Sequence, residues 1–208
     1  MMLAIAMLAV AVVSGLVWWL IRHDSDSAAP GAGVPVPADS SATSSTEADE
    51  GTPSSSTVPD SIEAGRFTYN ALAPADVSEN CAKVSYGKVE DWFEDKPCEH
   101  VVRGLYTTKE DGARALVSVA VVTMPDAAQA KDLKTLTDTS GTGNVSDMQR
   151  DGSVPTPGGP RVAGGGYASN IVDNTVTIIE SAFYDGHRDR TLLNEITSEA
   201  LGIASHMR

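Results

Sequence analysis

The stretch that decides the fold reads RALVSVAVVTMPDAAQA, residues 114–130. Residues 114–124 are rich in β-branched and small apolar side chains, which is typical of a central strand. Pro125 then ends the strand, and Asp126 with Gln129 has the residue types of a capping box at the start of a helix. The residues after this start have the apolar spacing of one helix face, and a Ser/Thr/Gly/Asn loop over residues 139–144 ends the helix. The stretch therefore predicts a strand that leads directly into a helix.

A hairpin is predicted immediately before this helix. Residues 101–108 are β-rich, and residues 109–112 read Lys-Glu-Asp-Gly, which is typical of a turn. The turn places residues 101–108 beside residues 114–124 as antiparallel neighbours. Together with the helix they form one ββα unit.

The same order of elements returns in the C-terminal part of the chain. Residues 166–171 and 175–184 predict two strands that are joined by Asp173 and Asn174. A helix follows, with Asp189 or Thr191 as its cap. The sequence thus predicts an α+β fold of two ββα units, in which one antiparallel sheet carries both helices on one face. The other face would be open to a partner, to residues 71–98 or to a second copy of the chain.

Shorter elements are predicted on either side of the first unit. Residues 66–71 alternate polar and apolar side chains, as a strand does. Residues 74–78 resemble a helix start, and Trp92 with Phe93 predicts the buried part of a second short element. Residues 148–166 are rich in Gly and Pro and predict an irregular surface loop.

The N-terminus predicts a membrane helix over residues 1–22. From Met1 to Ile21 there is no charged residue, and a helix of that length rises roughly 31 Å, which matches a bilayer core. A cleaved secretory signal is the alternative, but the apolar run is too long and lacks a basic start. We therefore expect an uncleaved, single-pass signal anchor whose partner is the lipid bilayer.

A disordered linker is predicted over residues 23–63, followed by a folded domain over residues 64–208. Residues 24–60 contain many Ser, Thr, Pro and acidic residues but no aromatic residue, Leu, Ile or Lys, so they cannot bury enough apolar surface to order themselves. The whole chain carries 15 Lys and Arg against 28 Asp and Glu, a formal charge of -13. This charge excludes nucleic acid as a partner, because phosphate binding needs clustered basic residues.

Cys81 and Cys98 are the only two cysteines. Behind a membrane anchor, such a pair predicts a disulfide, which places the domain in an oxidising compartment. Two buried free thiols are one alternative. A zinc site with His100 is another, but it lacks a second pair of ligands at finger spacing. We expect no metal and no cofactor.

The orientation of the anchor rests on opposing signals. Arg22 alone favours a cytoplasmic C-terminus by the positive-inside rule. The cysteine pair favours the outside, and a start codon further upstream would remove the conflict by supplying a basic N-terminal flank.

No motif of a known catalytic class is present, so the candidates for chemistry are few. His187 is the best of them, because Asp185, His187 and Asp189 cluster at a predicted turn between a strand and a helix. Residues 141–144 and 164–166 contain glycines that could bind an anion, but neither run follows a strand and opens a helix. We interpret both as turns and assign no catalytic, cofactor-binding or metal-binding residue.

Residues 114–144, together with the Cys81 and Cys98 pair, resemble uncharacterised actinobacterial single-pass membrane proteins. The resemblance implies an extracytoplasmic domain tethered to the cell membrane, and it implies no activity or ligand. We expect a non-catalytic domain that binds an envelope component or a protein. A homodimer through the open sheet face is a structural alternative. The enzymatic alternative is an envelope hydrolase or transferase with a site near His187.

Overall fold

A computed structural model describes residues 58–207 of the chain and shows an antiparallel sheet with three α-helices, an α+β fold. Its strands, numbered along the chain, are β1 (Ser61–Ala64), β2 (Phe67–Ala71), β3 (Asp76–Ser78), β4 (Ser85–Gly87), β5 (His100–Glu110), β6 (Ala113–Thr123), β7 (Gly143–Val145), β8 (Gly166–Val172) and β9 (Thr175–Phe183). Six of them follow in the order β1-β2-β5-β6-β9-β8. Strand β3 also pairs with β5, whereas β4 and β7 form a separate ribbon.

Both predicted hairpins are confirmed. Strands β5 and β6 pair over their full length, and they are joined at Asp111 and Gly112, which both have positive φ angles of 48° and 81°. Strands β8 and β9 are joined at Asp173 and Asn174, where Asp173 has a φ of 54°. Asp, Asn and Gly are the residues that tolerate this left-handed backbone, so the turn residues explain the register of each hairpin.

The helices are α1 (Lys88–Asp95), α2 (Ala127–Thr137) and α3 (Arg190–Glu199), and α3 continues into a 3-10 helix over Ala200–His206. Asp126 accepts a hydrogen bond from the amide of Gln129 at 2.8 Å, and Asp189 accepts one from the amide of Leu192 at 2.9 Å. Asp189 is therefore the cap of α3, and Thr191 lies inside the helix. The Gln129 side chain bonds the Asp126 carboxylate at 2.7 Å, which is half of a capping box only.

The prediction that both helices cover one face of the sheet is wrong. Odd-numbered residues of β6 and β9, such as Val119 and Ile179, pack with α3 and the 3-10 helix. Even-numbered residues, such as Val122 and Ile178, pack on the other face with α1 and α2. Strand β6 is buried at every position from Ala115 to Val122. Because both faces of its apolar run have to be removed from water, helices cover both of them.

Three shorter predictions are also corrected. The predicted helix start at residues 74–78 contains β3 instead, since the edge of β5 beyond β2 offers backbone groups that need partners. Strand β1 includes residues 61–63, which composition assigned to the linker; buried Ile62 alternates there with exposed neighbours. The loop over residues 148–166 is irregular as predicted, but it buries Val154 and Val162 against the face of the sheet that carries α1 and α2.

The predicted membrane helix and most of the predicted linker lie outside residues 58–207. Within those residues, no helix is both long and apolar enough to cross a bilayer.

Candidate functional site: a polar cleft over Glu180

A cleft of about 620 Å³ opens on the face of the sheet that carries α1 and α2. Its volume is within the range of small-molecule sites, roughly 300 to 1,000 Å³. Four parts of the chain surround it: the C-terminal end of α2 with the loop that follows, the β4–β7 ribbon, the loop over residues 163–165, and strands β8 and β9. We call this space the Glu180 cleft, and its polar side chains include Tyr86, Asp138, Ser140, Asn144, Tyr167 and Glu180.

Glu180 lies in β9 directly opposite Tyr167 of β8, so both side chains point to the same face of the sheet. It is 9% exposed, it forms no ion pair among residues 58–207, and the Asn144 side chain is its hydrogen-bonding neighbour. Burial, and then the nearby Asp147 carboxylate, raises the pKa of Glu180 to about 7, although Asn144 and Arg150 act in the opposite direction. The cleft therefore contains a carboxyl group that can be either charged or neutral near pH 7.

Asp138, which directly follows α2, fixes one wall of the cleft. Its carboxylate accepts hydrogen bonds from the Tyr167 hydroxyl at 2.9 Å, from Ser169 Oγ at 2.6 Å and from Lys134 Nζ at 2.6 Å. Burial alone would raise the pKa of Asp138, but these three donors outweigh it and lower that pKa. Asp138 is thus ionised, and it holds the half-exposed Tyr167 ring at the cleft.

Tyr86 of β4 also lines the cleft. The guanidinium of Arg150 lies 3.7 Å from the centroid of the Tyr86 ring, a cation–π contact. Burial, and then the charge of Glu180, raises the pKa of Tyr86. Buried Asp147 accepts hydrogen bonds from the amides of Gln149 and Arg150 at 3.0 Å and 2.8 Å, which fixes the turn that carries Arg150.

Two glycines let the walls of the cleft approach one another. A Cβ atom at Gly143, whose φ is 89°, would collide with the carbonyl oxygen of Tyr86 across the β4–β7 ribbon. A Cβ at Gly165 would collide with the carbonyl oxygen of Ser181 in β9. Residues 141–144 and 164–166, which the sequence predicted as turns, thus lie at the cleft, with Gly166 beside it at the start of β8.

The structure does not assemble a catalytic group around His187. The His187 ring packs edge-on against Phe183, with 4.6 Å between ring centroids, beside a smaller cavity of about 270 Å³. Asp189 is occupied as the cap of α3. Within residues 58–207, His187 has no hydrogen bond or ion pair with a carboxylate, and residues 185–190 are exposed.

The predicted disulfide is confirmed. Cys81 and Cys98 are bonded to each other, with their Cα atoms 6.1 Å apart. Both are buried in the core cluster that also contains Phe93 and Val101. His100 lies near Thr123, with Nε2 3.4 Å from Oγ1. The part of the chain that the structure describes contains no cluster of three or more His, Cys, Asp or Glu side chains that could hold a metal ion.

Glu180 is the residue that the sequence analysis missed. Its signal was present in TVTIIESAF, residues 175–183, where it is the only charged residue of a strand with an otherwise buried, mostly apolar composition. A lone carboxylate in a central strand indicates either a buried partner or a site.

Comparison of the chain with protein-family models, with curated proteins and with solved structures finds no match. The resemblance to actinobacterial membrane proteins therefore stays a prediction.

Proposed function

We propose that residues 58–207 form a ligand-binding domain that holds a small polar molecule in the Glu180 cleft without converting it. The observation that carries this proposal is Glu180 itself, a buried acidic residue that lines the cleft and has no ion-pair partner among the described residues. A buried carboxylate is nearly always paired with a positive charge. A ligand that supplies one would satisfy Glu180 and gain affinity from it.

We further propose that the domain is displayed outside the cytoplasm on a single-pass anchor. The Cys81–Cys98 disulfide supports this placement, because such bonds persist in oxidising compartments. The apolar run from Met1 to Ile21 supports the anchor. The ligand would then be a soluble or exposed component of the cell envelope.

Binding is favoured over catalysis because the charged groups near Glu180 already have structural roles. Asp138 accepts three hydrogen bonds, and Asp147 holds a turn. The alternative, a hydrolase or transferase near His187, gains no support from a turn in which Asp189 caps a helix.

Native mass spectrometry of the full-length chain, extracted from its own membranes in detergent, tests the proposal. We expect a small molecule to be retained by the wild-type chain and lost from Ser140→Trp, since Ser140 is an exposed residue lining the cleft. Ser205→Trp is the matched control, because exposed Ser205 lies in the 3-10 helix on the other face of the sheet. Retention that is equal in the two variants would refute the cleft as the site, and turnover of the molecule would refute a non-catalytic role.

A further inference from the structure

We propose, on the basis of the function proposed above, that the Glu180 cleft recognises its ligand through a protonated amino group, which binds the Glu180 carboxylate beside the rings of Tyr86 and Tyr167. The ligand class is therefore an organic amine.

The first support is the sign of the charges around the cleft. Two carboxylates line it, those of Asp138 and Glu180, and no Lys, Arg or His does. The five residues from Thr137 to Gly141 also line it, so the C-terminal end of α2 and its partial negative charge face this space. Each of these features favours a cation over an anion.

The second support is the state of Glu180. Glu180 is 9% exposed as a residue and has no ion-pair partner among residues 58–207, so burial disfavours its ionised form until a positive charge arrives. An ammonium group supplies both a positive charge and three hydrogen-bond donors. Lys134 does not take this role, because it pairs with Asp138 and does not line the cleft.

The third support is the aromatic pair. The rings of Tyr86 and Tyr167 line the same cleft, and aromatic faces attract ammonium groups. Asp138 fixes the Tyr167 ring through its hydroxyl, whereas the guanidinium of Arg150 already covers one face of the Tyr86 ring. The cleft thus combines carboxylates with aromatic rings, a combination that suits a positively charged organic group.

Other ligand classes fit less well. A metal ion needs several ligand side chains, and residues 58–207 contain no group of three that could hold one. A cleft of about 620 Å³ is also far larger than an ion. An anion would prefer the neighbouring cavity, which is lined by Arg150 and Arg161.

Three probes of equal chain length test the charge requirement on the full-length protein in detergent: butylamine, butanol and butyrate. Dissociation constants are measured by ligand-observed NMR. We expect butylamine to bind roughly tenfold or more tightly than the other two probes, because a hydrogen bond to a buried charge is worth at least that factor. Glu180→Gln should lose the preference, whereas the exposed control Glu63→Gln on β1 makes the same change in net charge and should keep it.

The pH dependence of butylamine affinity distinguishes a binding role of Glu180 from a purely structural one. The groups that face Glu180 are Asp147 and Arg150 after β7, Asn144 of β7, Tyr86 of β4 and Tyr167 of β8. Because the pKa of Glu180 is about 7, its carboxylate gains a proton on acidification while the amine stays charged. Butylamine affinity should fall roughly tenfold from about pH 8 to about pH 6 in the wild type and stay constant in Glu180→Gln.

The outcomes separate this inference from the proposed function. Equal or tighter binding of butanol or butyrate, or unchanged butylamine affinity in Glu180→Gln, overturns the amine class but leaves a ligand-binding cleft. Absence of butylamine binding also overturns the amine class. The proposed function is judged separately, by the retention and turnover that native mass spectrometry measures.

Discussion

Glu180 links the stability of the domain to pH. Its pKa in the folded protein, about 7, is higher than the value of roughly 4.3 for an unfolded chain. Between these two pH values the folded protein keeps a proton that the unfolded chain releases, so the free energy of unfolding falls as the pH rises from about 4 to about 7.

Replacing Glu180 by Gln should remove this loss of stability. In urea unfolding of the ligand-free protein, we expect the variant to match the wild type near pH 4 and to exceed it by about 3 to 4 kcal/mol near pH 8. A difference between the two proteins that does not vary with pH would contradict the assignment of a raised pKa to Glu180.

Arg103 is a second buried charge, and its role is structural. Its side chain is 4% exposed and forms ion pairs with Asp76 of β3 at 2.6 Å and with Asp151 at 2.5 Å. It also donates to the carbonyl oxygen of Ser146 at 2.8 Å. The guanidinium thus ties β3 and the loop after β7 to β5.

Arg103→Met keeps the aliphatic stem but removes these bonds, and we expect a loss of about 2 to 4 kcal/mol in the free energy of unfolding. The matched control is Lys134→Met, which breaks a more exposed pair between Lys134 and Asp138 on α2 and should cost roughly 0.5 kcal/mol or less. Equal losses in chemical denaturation would show that the Arg103 pairs are no stronger than a surface pair.

At the scale of elements, we predict that Asp189 stabilises α3 as its N-terminal cap. Asp189 accepts the amide hydrogen of Leu192, and this bond satisfies one of the free donors at the helix start. Asp189→Ala should therefore destabilise the domain by about 1 kcal/mol, whereas Asp189→Ser should restore most of the loss. Thermal unfolding of the two variants measures the effect. If both variants keep wild-type stability, Asp189 is not a cap, and the enzymatic alternative near His187 regains its carboxylate.

The elements that the sequence predicts are those whose signals are local. The hairpin turns at residues 111–112 and 173–174, and the caps Asp126 and Asp189, act within a few residues of the chain, so reading along the sequence finds them. Strand β3 is different, because it exists only where the edge of β5 is free to pair with it. The β4–β7 ribbon joins residues that lie far apart in the chain, and no local pattern indicates it.

The candidate site shows the same division at the scale of the whole molecule. Its walls come from the end of α2, from β4, β7, β8 and β9, and from the loop over residues 163–165. Only the tertiary fold brings these parts together. The sequence contains a hint in Glu180, a charge in a buried strand, but the burial of its neighbours Asn144 and Asp147 depends on the fold. His187 was predicted as a candidate because acidic residues lie near it in the sequence, but its turn is exposed to solvent.

From the disulfide we predict how reduction changes the stability of the domain and which compartment the domain occupies. Cys81 and Cys98 close a short loop, which is worth about 3 kcal/mol in the chain-entropy description. Reduction should lower the melting temperature by about 10 °C for a domain of this size. Rapid alkylation of intact cells should find no free thiol at either position. Labelled thiols would contradict the outside placement, and an unchanged melting temperature would contradict the role of the bond in stability.

The most direct test of the central claim, that the Glu180 cleft is the binding site, is hydrogen–deuterium exchange of the full-length protein. The exchange is compared with and without the small-molecule fraction of an envelope extract. We predict slower exchange in residues 86–87, 138–144 and 163–167, which surround Glu180, with the 3-10 helix on the other face unchanged. Protection confined to residues 185–190, or no protection in the three cleft segments, would contradict the account.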